Sequence, residues 1–333
     1  MFSVLTSDPA LYRSVWHYEH MTMPAAPTPR AFDPSNPNFD AFTSVSGSSD
    51  EAVKQAVLTR FAADNGLTYR PLSQTFTYPG CIFASQNTGQ LSFVRDHLST
   101  TSGRYVDVGN FEPNGKLSSE PGGGLTPASP GFMWGFVALQ MDRQLPNMMM
   151  ISRHREPGSA ELPFRPDPTQ VLDLEGNFGD DFTLYCPKEF EDDALYVFTP
   201  DLMALLIDEA APFDFEIVDK WMFIYSSRAF HPLDENAYRH IFQILDNLGT
   251  KIVRQTSSFT DAALGPAPVK TPATEWHFTP NPALFGENSP PGTRLKPKSQ
   301  RPALILTLII FGLFIVAMVV IATIVGAGAG YIQ

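Results

Sequence analysis

The sequence has few cysteines and few basic residues. Its two cysteines, Cys81 and Cys186, lie far apart and form no Cys-x-x-Cys pair. This excludes a disulfide framework and predicts two free thiols in a reducing compartment. The 23 Lys and Arg residues are outnumbered by 35 Asp and Glu residues, which gives a net charge of −12. So acidic a chain argues against nucleic acid as the main partner.

Short catalytic and cofactor-binding motifs are also lacking. There is no Gly-x-Ser-x-Gly, Walker loop or dinucleotide fingerprint, and the glycine run at 122–124 lacks the Lys-Ser/Thr of a phosphate loop. His17 and His20 are three residues apart without a third ligand, and residues 173–177 resemble the start of a calcium loop that lacks its Gly and Glu. We therefore assign no catalytic, cofactor-binding or metal-ligating residue and expect no cofactor.

Charge is segregated along the chain. The last four basic residues are Arg294, Lys296, Lys298 and Arg301, and all 35 acidic residues precede them. After them only Tyr331 has an ionisable side chain. The sequence thus has an acidic body, a short basic collar formed by these four residues, and a neutral tail.

The neutral tail predicts a transmembrane helix. Residues 303–325 are apolar except for Thr307 and Thr323. They would form about 35 Å of helix at ~1.5 Å per residue, which is enough to cross a ~30 Å hydrocarbon core. The start of the sequence shows no basic and apolar leader pattern, so we expect no cleaved signal peptide. The sequence therefore predicts a C-terminal tail anchor.

The collar predicts the orientation of this anchor. Because basic residues precede the span and none follows it, the positive-inside rule places the body on the cytoplasmic side of the plasma membrane. Attraction of Arg294, Lys296, Lys298 and Arg301 to anionic headgroups is a second role that stays open. Ala322, Gly326 and Gly330 are spaced four apart, as in helix–helix contacts between membrane spans.

Composition divides the chain into five segments. We predict an N-terminal segment with a Pro/Ser-rich linker at 1–49, a folded domain at 50–255, and a Pro-rich tether with the basic collar at 256–302. The membrane span at 303–325 and a short tail at 326–333 follow. A long tether would leave the body free to stand away from the bilayer.

Hydrophobic periodicity predicts helices and strands within the folded domain. The first predicted helix is residues 51–65, with Ser48 and Glu51 as a capping box and Gly66 as the stop. A second predicted helix begins at Thr199-Pro200-Asp201. A third is capped by Asp234 and ended by Gly249. The predicted strands are 67–70, 104–108, 133–141, 147–152, 182–186, 194–198, 213–218 and 221–225, with short strands at 75–78 and 81–84.

Connections between these strands favour an antiparallel arrangement. Residues 112–130 are predicted to be a loop between strands, 147–152 a short partner of 133–141, and Asp219-Lys220 the turn of a hairpin. We therefore expect an α+β fold with a mainly antiparallel sheet and at least three packed helices. The predicted core residues are Trp134, Phe136, Val137, Leu139, Leu184, Val197, Leu202, Leu205, Leu206, Ile217, Ile224, Ile241, Phe242 and Leu245.

Three segments also carry a family resemblance. They are FVALQMDRQLPNMMM at 136–150, FTLYCPKEFEDDALYVFTPDLMALLIDE at 182–209 and FDFEIVDKWMFIY at 213–225. Residues 131–249 as a whole resemble a bacterial, actinobacterial-type family of membrane-anchored proteins of unknown function. The resemblance implies a cytoplasmic-facing domain tied to the membrane and carries no catalytic residue. The chain departs from members whose anchoring helices precede or interrupt the domain, because its predicted span comes last.

These observations favour a non-enzymatic binding or scaffold module with a protein partner, held at the membrane by its anchor. Two alternatives remain open. One is a membrane-tethered hydrolase whose site is assembled only in three dimensions, and the other is a structural subunit of a membrane complex.

Overall fold

The fold is α+β, with an antiparallel sheet and several helices. The computed structural model describes residues 30–43, 50–74, 78–84, 91–117, 125–126, 133–155, 159, 161–174, 176–257, 294–298 and 315. The strands are β1 (Leu67–Gln74), β2 (Leu91–Thr100), β3 (Val106–Leu117), β4 (Leu125–Thr126), β5 (Trp134–Ser152), β6 (Val171–Leu172), β7 (Phe182–Tyr185) and β8 (Asp214–Ser226). The predicted fold class is confirmed at this level.

The helices lie before, between and after the strands. They are α1 (Glu51–Asp64), α2 (Cys81–Ala84), α3 (Phe178–Asp181), α4 (Glu191–Val197), α5 (Pro200–Ala210), α6 (Glu235–Ile244) and α7 (Thr250–Ser257), and a π-helical turn (Leu245–Gly249) joins α6 to α7. Single 3-10 turns lie at Asp40–Phe42, Pro168–Gln170 and Lys188–Phe190.

The long strand β5 organises the sheet. Its first half lies between β3 and β8, and its second half lies between β8 and β7. β2 joins β3 to β1, β6 pairs with β7, and β4 pairs with the end of β3. Every strand pair among the described residues is antiparallel. Both faces of β5 are therefore available for packing.

Helices pack on one face of the sheet, and the main hydrophobic cluster is formed by the buried side chains of these helices and of that face. Asp50 caps α1 by accepting a hydrogen bond from the Ala52 amide, and α1 then buries Phe61 completely. The rings of Phe39 and Phe42 pack on Phe61 at centroid distances of 5.3 and 5.1 Å. The packed body therefore includes residues that precede the range 50–255.

A second hydrophobic cluster covers the opposite face. It contains α2 and nearby aromatic residues, with Ile82 and Phe83 buried against Phe136 and Phe223. Neighbouring residues of β5 divide between the two clusters: Phe136 belongs to the second and Val137 to the first. This is the alternation expected of a strand that is covered on both faces.

The two central strands are longer than predicted. Residues 133–141 and 147–152 are parts of the single strand β5, whereas we predicted two partners. Residues 213–225 likewise form one strand, β8, so the predicted hairpin at Asp219-Lys220 is wrong. Asp219 has φ +54°, and the β5–β8 register shifts on either side of its partner Leu145. The Asp219-Lys220 pair, which we predicted to be a turn, therefore lies at an irregularity that β5 and β8 share.

Other predicted boundaries also need correction. Residues 194–198 are mostly the helix α4, not a strand, and 81–84 form the helix α2. β3 begins at Val106 and runs into the predicted loop as far as Leu117. Asp50 caps α1 in place of Ser48, which lies outside the described residues. Gly249 does not end the helix after Asp234, because the chain continues through the π-helical turn into α7.

Most of the predicted core is confirmed. Of the 14 predicted core residues all are buried except Trp134 and Leu205, which are partly buried. Cys81 and Cys186 are free, as predicted, and the structure shows that both are buried.

The predicted membrane span lies outside the described residues except for Ile315. Among the residues that the structure describes, no helix combines the length and the apolar character needed to cross a membrane. Ile315 itself is helical and 48% exposed.

Candidate functional site

Polar groups are buried on the same face of the sheet as the second hydrophobic cluster. They form two sets, which we call the histidine cluster (Tyr78, His97, Tyr105, Asp107) and the glutamate cluster (Cys81, Asn147, Glu216, Tyr225). A third feature is the strap, residues 294–298, which contacts the glutamate cluster.

Asp107 is the centre of the histidine cluster. His97 Nε2 lies 2.5 Å from Asp107 Oδ1, and the side chains of both residues are fully buried. Tyr78 donates a short hydrogen bond to Asp107 Oδ2, and the Tyr105 hydroxyl lies 3.4 Å from the same oxygen. Both carboxylate oxygens thus have close polar neighbours within the buried interior of the fold.

A bulge in β2 brings His97 to this position. The β2–β3 register shifts between Arg95 and Leu98, and Asp96 within it has φ +49°. Burial and the neighbouring Asp107 carboxylate raise the pKa of Tyr78 well above its usual value. Tyr78 therefore remains a protonated donor, and the arrangement resembles a structural network more than an acid–base site open to substrate.

Glu216 is the centre of the glutamate cluster. Its Oε2 accepts hydrogen bonds from the Cys81 amide and the Tyr225 hydroxyl, both at 2.7 Å. Asn147 Nδ2 lies 3.5 Å from Oε1 and donates to the Ile217 carbonyl at 3.0 Å. Gly80 permits this packing, because a Cβ at that position would collide with the Tyr225 hydroxyl.

Burial raises the pKa values of the Glu216 carboxyl and the Cys81 thiol in this cluster. Desolvation raises the pKa of Glu216, although its hydrogen-bond donors oppose that change. Burial and the Glu216 carboxylate raise the pKa of the Cys81 thiol well above its usual value. A thiol reacts through its thiolate, so this environment makes Cys81 a poor nucleophile.

The strap lies directly over the glutamate cluster. Leu295 is 5% exposed within the second hydrophobic cluster, and its amide donates to Asn147 Oδ1 at 3.3 Å. Arg294 Nη2 lies 2.6 Å from Asp219 Oδ2, at the bend of β8. Asn147 therefore links the strap to the buried Glu216.

Backbone hydrogen bonds join the strap to residues 165–170. The Asp167 amide donates to the Lys296 carbonyl, and the Lys298 amide donates to the Arg165 carbonyl, both at 2.8 Å. Pro166 and Pro297 form an antiparallel bridge between these two bonds. The side chain of Gln170 accepts from the Lys296 amide at 3.0 Å and donates to its carbonyl at 2.9 Å. The strap thus pairs with the body much as an added edge strand would.

The predicted site residues fall into two groups. Arg294, Lys296 and Lys298 belong to the strap; the Arg294 side chain is partly buried, whereas Lys296 and Lys298 are exposed. Arg301 and the predicted helix–helix contact at Ala322, Gly326 and Gly330 lie outside the described residues.

Sequence reasoning named Glu216 and Asp219 only as positions of the family resemblance. It assigned no site role to Asn147 or Glu216 and did not pair Arg294 with Asp219. One signal was available: Glu216 stands between Phe215 and Ile217 in a strand whose other residues are mostly apolar. A carboxylate on the buried face of such a strand needs hydrogen-bond donors from elsewhere in the fold.

A cavity of ≈ 10 Å³ lies in the main hydrophobic cluster, lined by apolar side chains that include Met148, Phe198 and Ile252. That volume is at the lower limit for one water molecule. No group of three or more His, Cys, Asp or Glu side chains in the described ranges could hold a metal ion.

Comparison with known proteins gives no relative from which a function could be transferred. The chain matches no protein-family model, no curated protein and no solved structure.

Proposed function

We propose that the chain is a single-pass, C-tail-anchored protein whose acidic body acts as a non-enzymatic binding or scaffold module. The body faces the cytoplasm at the plasma membrane and binds a protein partner. The bacterial membrane-anchored family that residues 131–249 resemble is part of this proposal.

The observation that carries the proposal is the docked strap. The strap ends at Lys298, and the predicted span begins at residue 303. The apolar segment therefore follows, after residues 299–302, a part of the chain that is hydrogen-bonded to the body. This continuity supports an anchor attached to the folded body itself.

The chemistry of the buried clusters supports binding over hydrolysis. His97 lies against a carboxylate and Cys81 is a poor nucleophile. The Cys81 amide donates to the buried Glu216 carboxylate, and satisfying a buried polar group is a structural role.

Membrane extraction and partner recovery test the proposal. Wild-type chain should remain in the membrane pellet after alkaline carbonate treatment, whereas a variant with Ile310→Arg and Val319→Arg in the predicted span should be released, because each charge is costly at the bilayer centre. Release of the wild type would contradict the anchor.

Purification from crosslinked cells in mild detergent should then recover a stoichiometric protein partner. Recovery of the chain alone would contradict a binding or scaffold role. Association that is lost on Gly326→Leu would instead favour a structural subunit assembled through its span.

A further inference from the structure

We propose that the docked strap seats the body on an anionic lipid surface, with the edge formed by the strap and residues 165–170 facing the headgroups. This inference rests on the membrane anchor proposed above. It replaces the expectation of a body on a long, free tether.

The first step is that the strap is held through its backbone. The amides of Leu295, Lys296 and Lys298 all donate to groups of the body, and the Lys296 carbonyl accepts two hydrogen bonds from it. Burial of Leu295 adds an apolar contact. These contacts leave the lysine side chains on the outside, where both residues are exposed.

The second step is distance. Residues 299–302 are all that separate the strap from the predicted span, so the span begins within about 17 Å of Lys298 even if the connection is fully extended. Residues 258–293 could extend to the order of 120 Å, but both ends of that segment join described parts of the body. While the strap is docked, the short connection sets the distance to the bilayer.

The third step is charge. Residues 1–293 carry 19 basic and 35 acidic residues, so most of the body would be repelled by an anionic leaflet. Lys296 and Lys298 are exposed at the edge from which the chain continues toward the predicted span, and each would gain about 1 kcal/mol from anionic lipid. Arg294 contributes less, because Asp219 already pairs with it. The three collar residues that the structure describes therefore have two roles: Arg294 binds the body, whereas Lys296 and Lys298 are exposed.

Headgroup quenching in nanodiscs containing the full-length chain tests the distance step. A fluorophore is attached to Thr169→Cys, an exposed position at the edge; the two native cysteines are buried. We compare insertions of about twelve Gly/Ser residues within 258–293 and within 299–302. Only the second insertion should reduce quenching by a headgroup-attached quencher. Quenching that falls with the first insertion instead would overturn the proposal.

A variant that undocks the strap tests whether the strap holds the body near the bilayer. Leu295→Asp places a charge in a buried apolar slot and should undock the strap. In that background the insertion within 258–293 should now reduce quenching. If the insertion still has no effect, the strap does not hold the body.

Lipid charge is tested with paired lysine substitutions. We call a body seated when the strap edge lies against the headgroups. Two lysines at about 1 kcal/mol each should raise the ratio of seated to unseated bodies about 30-fold when anionic lipid replaces zwitterionic lipid. Lys296→Gln with Lys298→Gln should abolish this gain, whereas the control pair Lys188→Gln with Lys251→Gln should keep it. Added inorganic phosphate, at matched ionic strength, should not reverse the gain. Equal seating in both lipids, or reversal by phosphate, would overturn the lipid assignment.

The two proposals fail in different ways. Carbonate extraction of the wild type would remove the anchor and with it this inference. A chain that resists extraction but whose quenching follows the length of 258–293 would leave the anchor intact and refute only the seating by the strap.

Discussion

Asp107 shows how a single buried carboxylate depends on the geometry of its donors. Tyr78 donates a short hydrogen bond to Asp107 Oδ2, whereas the Tyr105 hydroxyl lies at 3.4 Å, beyond the usual range. We expect Tyr78→Phe to lower the free energy of unfolding by about 1–3 kcal/mol, because it removes a hydrogen-bond partner from a buried polar group. Tyr105→Phe should cost less than about 1 kcal/mol. Denaturant unfolding of the two matched variants in mild detergent checks this order, and equal costs would contradict it.

Glu216 should make stability depend on pH in the direction opposite to a salt-bridged carboxylate. Burial raises its pKa above the reference value of 4.5. Between pH 4.5 and the raised pKa of the folded state, the unfolded chain loses the Glu216 proton while the folded chain still holds it. Glu216 therefore lowers the free energy of unfolding as the pH rises through this range.

Glu216→Gln should remove that dependence. The free energy of unfolding of the variant, relative to wild type, should therefore increase between pH 4.5 and neutral. The exposed Glu189→Gln is the control and should show a constant difference. Unfolding curves at several pH values measure both, and a pH-independent offset for Glu216→Gln would refute the explanation.

At the scale of elements, left-handed aspartates mark the bends of two strands. Asp96 and Asp219 have φ of +49° and +54°, and each carboxylate pairs with a cation from another part of the chain, Lys54 and Arg294 respectively. The bends therefore serve to aim carboxylates toward α1 and the strap.

Two substitutions separate strain from charge at Asp219. Both Asp219→Gly and Asp219→Ala lose the ion pair with Arg294, but only glycine adopts positive φ without steric cost. Asp219→Gly should therefore be more stable than Asp219→Ala by about 1 kcal/mol, the reverse of the usual order within a strand. Thermal or denaturant unfolding tests this, and an alanine variant of equal stability would contradict the strained bend.

The same elements show how far local sequence could lead. Helix α1 was predictable because its apolar stripe and its terminal signals all lie within the segment. The segment ALYVF at 194–198 was misread because short apolar runs fit strand and helix alike. Glu191, Asp192 and Asp193 occupy the first turn of α4, where the helix dipole favours acidic residues.

Long-range pairing explains the remaining differences. Asp219-Lys220 looks like a turn locally, but β8 continues through it because β5 has a matching irregularity opposite. The glutamate cluster joins Cys81, Asn147 and Glu216 across 135 residues of sequence, and the strap reaches Asn147 from 148 residues away. No local pattern encodes these contacts, whereas buried Glu216 was visible as a charge within an apolar strand.

At the scale of the whole molecule, the sheet separates two hydrophobic clusters, and each contains one thiol. Cys186 is fully buried in the main cluster and Cys81 lies in the second. Burial is the main reason that the pKa of the Cys186 thiol rises to about 12. Burial also raises the pKa of the Cys81 thiol well above its usual value. Both thiols should therefore be unreactive until the fold opens, and their labelling rates report on the opening of each side.

Core substitutions then test whether the two sides unfold together. Phe61→Leu weakens the main cluster and Ile82→Val the second, each by roughly 1 kcal/mol. If β5 and β8 unite the clusters in one cooperative unit, each variant should accelerate labelling of Cys81 and Cys186 alike, by about fivefold. The labelling rate of each cysteine is measured by reacting the full chain with an aromatic disulfide in mild detergent. Mass spectrometry then separates the product at Cys81 from the product at Cys186. If Phe61→Leu accelerates only Cys186 while Ile82→Val accelerates only Cys81, the two sides of the sheet open independently.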